Sequence, residues 1–374
     1  MNAAAVIALA GAVAAPSWTL GEARTALVRG SFFVTDTSQV DRPEYELTFS
    51  RSATKSLRRI GKRFEFAGIA HDGLTDRDVR VRFAFVRPGR ITRFRGEPPD
   101  TSQPSFPIRA AFYYAWYPEA WSRNTLFPYS RFTPSLGFYD ADAARLARAH
   151  IEAMQYAHLQ AGIYSWWGPI GYPLTDVRFW RYLAASRTTP FRWAIYYERE
   201  GYETPSVEKI RSDLEYVRDQ YASKPAYLRV DSRFVVFVYG GPDDTCESTS
   251  RRWREANTVG AYLVLKAFDG YSSCALQPEG WHQYSADRGQ YSLGPDAFMI
   301  SPGFDEPSEG GARLSRDLPR WRDDVGAMLA SAARWQLVLS FNEWPEGTSV
   351  ESAREWETPS GHGAYLDVLH ELLP

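Results

Sequence analysis

The chain has little of what metal, redox and phosphate chemistry require. Only two cysteines and six histidines occur in 374 residues, and none fall at the spacing of a metal site, so neither a metal nor a cofactor is expected. Gly240-Gly241-Pro242 is not a phosphate-cradling loop. No Gly-x-Ser-x-Gly elbow marks a serine hydrolase of the α/β type. The formal net charge is -2, which leaves no electrostatic footprint for nucleic acid or anionic lipid. The apolar run Met1 to Ala15 is too short for a comfortable membrane span. Its small residues end in Ala12-Val13-Ala14-Ala15 before Pro16. Residues 1–15 are therefore expected to be a secretory signal, even though no Lys or Arg precedes the run. A secreted or periplasmic monomer with no stable membrane span in the mature chain follows as the expectation.

What is present is ordinary in bulk and unusual in aromatics. Hydrophobic content of 44% and charged content of 24% describe a soluble globular protein. Thirteen Trp and 22 Tyr exceed the needs of a core, and flat rings with polar rims suit the C–H faces of sugars. The expected partner is an oligo- or polysaccharide. An even pair of cysteines in an exported protein is a disulfide candidate, Cys246 with Cys274.

The chain changes character near residue 98. Residues 16–98 read as a small β-rich domain with short alternating runs at Ala26 to Val34, Tyr45 to Ser50, Phe64 to Ile69 and Val79 to Val86. Arg51 to Arg63 is a basic run of the kind found on solvated faces. Residues 99–107, rich in proline and serine, read as a linker. From 108 to 374 strands and helices alternate, which implies a parallel sheet. Eight strands are predicted: Ala110 to Tyr117, Ala161 to Trp167, Phe191 to Glu198, Phe234 to Tyr239, Tyr262 to Phe268, Trp281 to Ser285, Ala297 to Ser301 and Gln336 to Glu343. Apolar residues at steps of three and four mark the helices between them, as at Val207, Ile210, Leu214 and Val217. The helices after the fifth and sixth strands are short or missing. The fold class is α/β, a (β/α)8 TIM barrel after a β-rich N-terminal domain. Cys246 and Cys274 fall in loops after neighbouring strands, and a bridge closing about 27 residues would stabilise the fold by roughly 3 to 4 kcal/mol.

The chemistry concentrates at the last strand, in Ser340-Phe341-Asn342-Glu343-Trp344-Pro345-Glu346-Gly347-Thr348. Two carboxylates three residues apart suit glycosidic hydrolysis, in which one must hold a proton near neutral pH while the other is ionised. Other predicted strands end in aromatic or polar residues that would line one rim: Tyr114, Trp116 and Tyr117; Trp166 and Trp167; Glu198; Tyr239; and Tyr284. Asn342 and Trp344 complete the candidate substrate contacts. Glu198 closes an apolar strand and needs a partner or a ligand.

The block Asn342-Glu343-Trp344-x-Glu346-Gly347-Thr348 resembles the signature of glycoside hydrolase family 99, the endo-α-mannosidases and endo-α-1,2-mannanases. Phe112-Tyr113-Tyr114-Ala115-Trp116-Tyr117, Gly162 to Gly168, Phe234 to Tyr239 and Ser301 to Asp305 resemble that family's blocks in order. The resemblance covers about Ala110 to Leu373. It implies that Glu346 is the general acid/base and that Glu343 assists the sugar 2-hydroxyl, giving a retaining route through a 1,2-anhydro sugar. It also implies that Glu198 lies in the substrate cleft. Pro345 stands where the family usually has His. The same fold acting on another polymer, such as an α-1,3-glucan, or a non-catalytic carbohydrate-binding barrel remain alternatives.

Overall fold

Thr19 and Glu22 make the first local decision. The Thr19 side chain accepts from the Glu22 backbone while the Glu22 carboxylate accepts from Thr19 N–H at 2.7 Å, a reciprocal cap that starts a helix over Leu20–Arg29. Ala23 and Leu27, four apart, are the residues it buries. The strand predicted from Ala26 is therefore corrected: the chain is helical to Arg29, and strand begins at Phe32. The computed structural model describes residues 18–35, 42–87, 89–241 and 243–374, so the expected signal at 1–15 lies outside the described residues.

Two compact units divide the chain, one made of Met1–Val34, Glu46–Gly73 and Asp78–Glu97, the other of Thr35–Tyr45, Leu74–Arg77 and Pro98–Pro374. In the first, called here the β unit, the sheet order is Phe32–Thr35, Pro43–Thr48, Arg63–Asp72, Arg77–Arg87, Arg90–Arg95, with Arg58–Ile60 paired to Arg63–Asp72. Period-two alternation sends Phe64, Phe66, Phe83 and Phe85 to one buried face, where Phe66 and Phe83 lie 5.3 Å apart and Phe64 and Phe85 5.4 Å apart.

The second unit is α/β. Eight parallel strands, Ile108–Tyr113, Ala161–Trp166, Arg192–Tyr197, Arg233–Val238, Tyr262–Lys266, Gly280–His282, Ala297–Ile300 and Trp335–Val338, are ordered 6-5-4-3-2-1-8-7. The first pairs with the eighth, with Ala110 opposite Leu337. Among the described residues no hydrogen-bonded ladder joins the sixth strand to the seventh, although the two come close to each other. Two causes are visible: the sixth strand has three residues, and the edge of the seventh is taken by an antiparallel strand, Gln290–Ser292. The connections after the fifth and sixth strands hold no helix longer than a single turn, Tyr271–Ser273 in one and Ala286–Arg288 in the other. Residues 99–107 carry no helix or strand, and buried Arg192 holds them by donating to Asp100 Oδ1 at 2.8 Å and Ser102 O at 2.6 Å.

The interior of the sheet is packed, not a pore. Phe112 meets Tyr196 at 4.8 Å and His282 at 5.6 Å, and Phe237 meets Trp335 at 4.9 Å. Burial pushes the His282 imidazole down to about 3, so it sits neutral among these rings with Nε2 3.0 Å from Val238 O. Cys246 and Cys274, in the loops after the fourth and fifth strands, form a disulfide.

Candidate active site

The loop after the eighth strand is held at both ends. Leu339 N–H donates to Ile300 O and Phe341 N–H to Phe112 O, extending the pairing beyond Val338. Ser340 Oγ accepts from Glu343 N at 2.7 Å and lies 2.9 Å from Thr348 Oγ1, which closes the loop on itself. Trp344–Glu346 is a single turn with Pro345 inside it. Gly347 ends it at φ +64, where a Cβ would also meet Asp305 O at 2.7 Å, so both conformation and space call for glycine. Both carboxylates thus stand on backbone with little freedom.

Their surroundings differ. Glu343 is buried and accepts a short hydrogen bond from Tyr284 Oη, which in turn accepts from Tyr114 Oη at 2.8 Å. Burial raises the Glu343 carboxyl to about 7, the bond from Tyr284 works against that rise, and the charge of Glu198 adds to it. Glu346 is half-buried as a residue, yet its Oε2 is enclosed without a partner. Burial, then the charge of Glu343 and a hydrogen bond shared with it, hold Glu346 well above the usual carboxylate range. Glu198 is third: burial lifts it to about 8, Ser165 opposes that, and Glu346 adds to it. Its Oε1 also has no partner. Lys266 offsets part of this negative charge from beside Tyr239, its Nζ 4.5 Å from the ring centre.

Rings enclose the three glutamates in a circuit. Tyr114 and Trp116 lie 4.6 Å apart, Trp116 and Trp167 6.5 Å, Trp167 and Tyr202 5.0 Å, Tyr202 and Tyr239 5.8 Å, and Tyr239 and Tyr284 6.2 Å. Tyr114 and Tyr284 close it through their hydroxyls. A cavity of about 310 Å³ lined by Trp116, Glu119, Ala120, Trp167 and Tyr172 continues this wall outward. The whole has apolar flat walls and a few converging polar groups, the make-up of a small-ligand cleft. Among the described residues no group of three His, Cys, Asp or Glu is arranged to hold a metal ion.

Glu343, Glu346, Glu198, Tyr114, Trp116, Trp167, Tyr239 and Tyr284 are brought together. Four other predicted contacts are corrected. Trp166 is fully buried with Nε1 donating to Asp176 Oδ1 at 3.1 Å, because strand alternation turns it opposite to Ser165 and Trp167. Tyr117 is buried and donates to Asn342 O at 2.7 Å. Asn342 spends its amide on the Tyr114 backbone, accepting from N and donating to O at 2.8 Å each. Trp344 points inward from the loop, and its Nε1 donates to Tyr139 Oη and Glu351 Oε2, both at 3.0 Å. Glu351 also takes Tyr139 Oη at 2.7 Å and lies 3.1 Å from His150 Nε2, so a buried polar cluster anchors the loop from below. These residues position the carboxylates and do not face the cleft. Tyr202, Lys266 and Ser165 were not predicted. Lys266 could have been, since it ends the fifth strand as Glu198 follows the third.

No family model matches the chain. It is similar to glycoprotein endo-alpha-1,2-mannosidase of Mus musculus, 22% identical over 283 residues, covering 64% of this chain and 60% of the relative. The corresponding protein of Rattus norvegicus is 22% identical over 286 residues with the same coverage. The chain thus spans about 60% of the length of the curated relatives it matches. Among solved structures, a GH99 endo-alpha-mannosidase from Bacteroides thetaiotaomicron in complex with bis-tris-propane superposes with a TM-score of 0.55 at 19% identity, covering 71% of this chain and 94% of that one. A protein described as glycoside hydrolase-like superposes at 0.54 with 15% identity, covering 74% and 96%. These relatives support the resemblance to glycoside hydrolase family 99, and the solved structures share this chain's α/β fold.

Proposed function

We propose that the chain is an exported, endo-acting, retaining glycoside hydrolase that cleaves α-mannosidic linkages. The observation that carries the reading is the pair Glu343 and Glu346 on one loop in unlike surroundings: Glu343 accepts from Tyr284 Oη, whereas Glu346 Oε2 is enclosed with no partner among the described residues, and burial raises the proton affinity of both. At neutral pH the proton resides on Glu346, which protonates the leaving oxygen. Glu343, ionised as its pKa is passed and steadied by Tyr284, takes the proton of the sugar 2-hydroxyl. The 2-oxygen then attacks the anomeric carbon to give a 1,2-anhydro sugar. Water, deprotonated by Glu346 as base, attacks the anomeric carbon and breaks its bond to the 2-oxygen, to which Glu343 returns the proton, so two inversions retain configuration and both carboxyls are restored. Trp116, Trp167 and Tyr202 serve as the stacking wall. The disulfide supports export, because such bonds persist in oxidising compartments.

Activity should follow a bell whose acid limb lies near pH 7, where Glu343 ionises, and whose alkaline limb lies where Glu346 loses its proton. Glu346→Gln should cost roughly 10² to 10⁴ in rate on a natural α-mannan and far less on a mannoside whose leaving group needs no proton. Glu343→Gln should be severe on both. Equal losses for Glu346→Gln on the two substrates refute the acid assignment, and normal cleavage of a 2-deoxy substrate refutes the anhydro route. Pro345, where the family usually has His, favours one further reading: the same chemistry on another α-glycan, which product sizing over α-mannans and α-glucans distinguishes.

A further inference from the structure

The whole-chain charge of -2 conceals a division. The three segments of the β unit hold 14 Lys and Arg against 6 Asp and Glu, a surplus of eight positive charges. The remaining residues hold 29 against 39, an excess of ten negative charges.

Register gathers part of that surplus on one side of the sheet. Residues paired across strands share a face. Arg58 stands opposite Glu65, Arg82 opposite Arg95, and Ala84 opposite Arg93. The stacking of Phe64 on Phe85 and of Phe66 near Phe83 puts these phenylalanines on the buried face. Glu65, Ala67, Arg82 and Ala84 alternate with them and so occupy the other. There a cavity of about 830 Å³ is bordered by Arg58, Arg82, Arg93 and Arg95, with the small side chains of Ala67 and Ala84 between them. Glu65 is engaged by Arg58 at 3.3 Å and Arg63 at 3.1 Å. Arg82, Arg93 and Arg95 have no ion-pair or hydrogen-bond partner among the described side chains. Like charges directly opposite on a sheet are destabilising, so Arg82 and Arg95 are held against their own repulsion, which a bound anion would relieve.

We propose that this face binds an anionic glycan, a polysaccharide chain carrying phosphate or carboxylate groups. The carbohydrate class rests on the hydrolase reading of the other unit; the charge is read from the β unit alone. Guanidinium forks match both anions bidentately, and the alanines leave room for sugar rings between them. Single-stranded nucleic acid is disfavoured because it needs a series of exposed aromatic planes, while Phe66 and Phe83 are 0% and 2% exposed and Phe94, paired with Phe83, shares their face and is only partly exposed.

The test is affinity electrophoresis of the full chain through gels containing phosphorylated mannan, polygalacturonate or unmodified mannan, with single-stranded DNA and phosphatidylserine vesicles as competitors. Retardation by the two acidic polymers, weakening with salt, is expected, and their relative strength tells phosphate from carboxylate. The triple variant Arg82→Gln, Arg93→Gln, Arg95→Gln should bind at least about tenfold more weakly. The corresponding Lys triple, which keeps the charge and loses the forks, should bind between the native chain and the Gln triple, and both should cleave a short neutral α-mannoside as the native chain does. No retardation of the native chain, equal retardation of the Gln triple, or tighter capture by DNA or vesicles overturns the proposal. Binding is read without turnover. A chain that cleaves neutral mannosides and ignores acidic polymers therefore sinks this site alone, whereas one that binds them and cleaves nothing keeps the site and removes the catalytic reading.

Discussion

The β unit leaves its arginines in water on an open sheet face, whereas the α/β unit draws Glu198, Glu343 and Glu346 beneath a circuit of aromatic rings. The same class of group behaves differently in the two places. An exposed charge is solvated and screened, so it adds little to or subtracts little from stability, and its use is long-range attraction. A buried carboxylate loses that solvation, and the molecule responds by raising its proton affinity, which is what an acid catalyst requires. The proposed recognition by field and the proposed catalysis by desolvation therefore call for opposite treatments of charge within one chain.

Packing density gives the sharpest contrast, since each unit has a glycine lodged against an aromatic ring. At Gly162, on the second parallel strand, a Cβ would fall 2.1 Å from the Trp193 ring. Trp193 is fully buried against Tyr113 at 5.1 Å and Tyr182 at 5.4 Å and donates to Ser186 Oγ at 2.7 Å, so it has nowhere to go. Gly162→Ala should destabilise by about 3 kcal/mol, the upper end for overpacking. At Gly68 in the β unit the nearest atom is the Phe66 ring tip at 3.0 Å, and Gly68→Ala should cost about 1 kcal/mol or less. Chemical denaturation of both variants measures the difference; equal losses would mean that the two cores are equally unyielding.

The buried carboxylates give a smaller, pH-dependent effect. Glu198 binds its proton with a pKa of about 8 in the folded chain against 4.5 as the ordinary value. The folded state is the better proton binder, so the stability tied to this group is complete below about pH 4.5, drains away as pH rises towards 8, and is gone above it. Glu198→Gln cannot ionise. It should match the native chain at pH 4 and exceed it by on the order of 2 kcal/mol at pH 9, a value discounted from the full shift for relaxation around the charge. A constant difference across that range would mean that Glu198 is paired and ionised when folded. Activity should fall in the same variant, since Glu198 lies within electrostatic reach of both Glu346 and Glu343.

Much of the α/β unit was legible because its strands are continuous apolar runs ending in Tyr, Trp or Glu, and all eight lie where those runs lie. What the runs do not reveal is direction. Trp166 beside Trp167 reads alike in sequence and faces the opposite way in space, because alternation has to be counted from a register that only pairing sets; Trp344 turns inward beside Glu343 because a single turn has replaced the strand there. The missing ladder between the sixth and seventh strands was hidden for the same reason, since Gln290–Ser292 takes the edge of the seventh strand through contacts no local pattern encodes. The anchor of Glu351 with Tyr139 and His150 joins residues more than 200 apart. In the β unit the cap of Thr19 and Glu22 encodes a helix locally, and the strand expected from Ala26 did not take it into account. The arginines of Arg77–Arg87 and Arg90–Arg95 became a surface only once Arg82 was set opposite Arg95.

The smallest expected effect tests the exposed half of the comparison. Arg82 and Arg95 face each other across neighbouring antiparallel strands, with no acidic partner for either among the described residues. Directly opposed like charges repel, and removing one should relieve that repulsion while leaving the phenylalanine face untouched. Arg95→Gln should therefore stabilise the chain by no more than about 0.5 kcal/mol at low ionic strength, the usual bound for a surface site. The gain should vanish near 1 M salt, where the screening length falls to about 3 Å. Adding phosphorylated mannan should reverse the order, since the ligand stabilises the native chain by mass action and the variant less so. Thermal unfolding at two salt concentrations, with and without the polymer, gives all four values. A destabilised variant at low salt would show that Arg95 has a structural partner and that the charge on this face is not held in reserve for an anion.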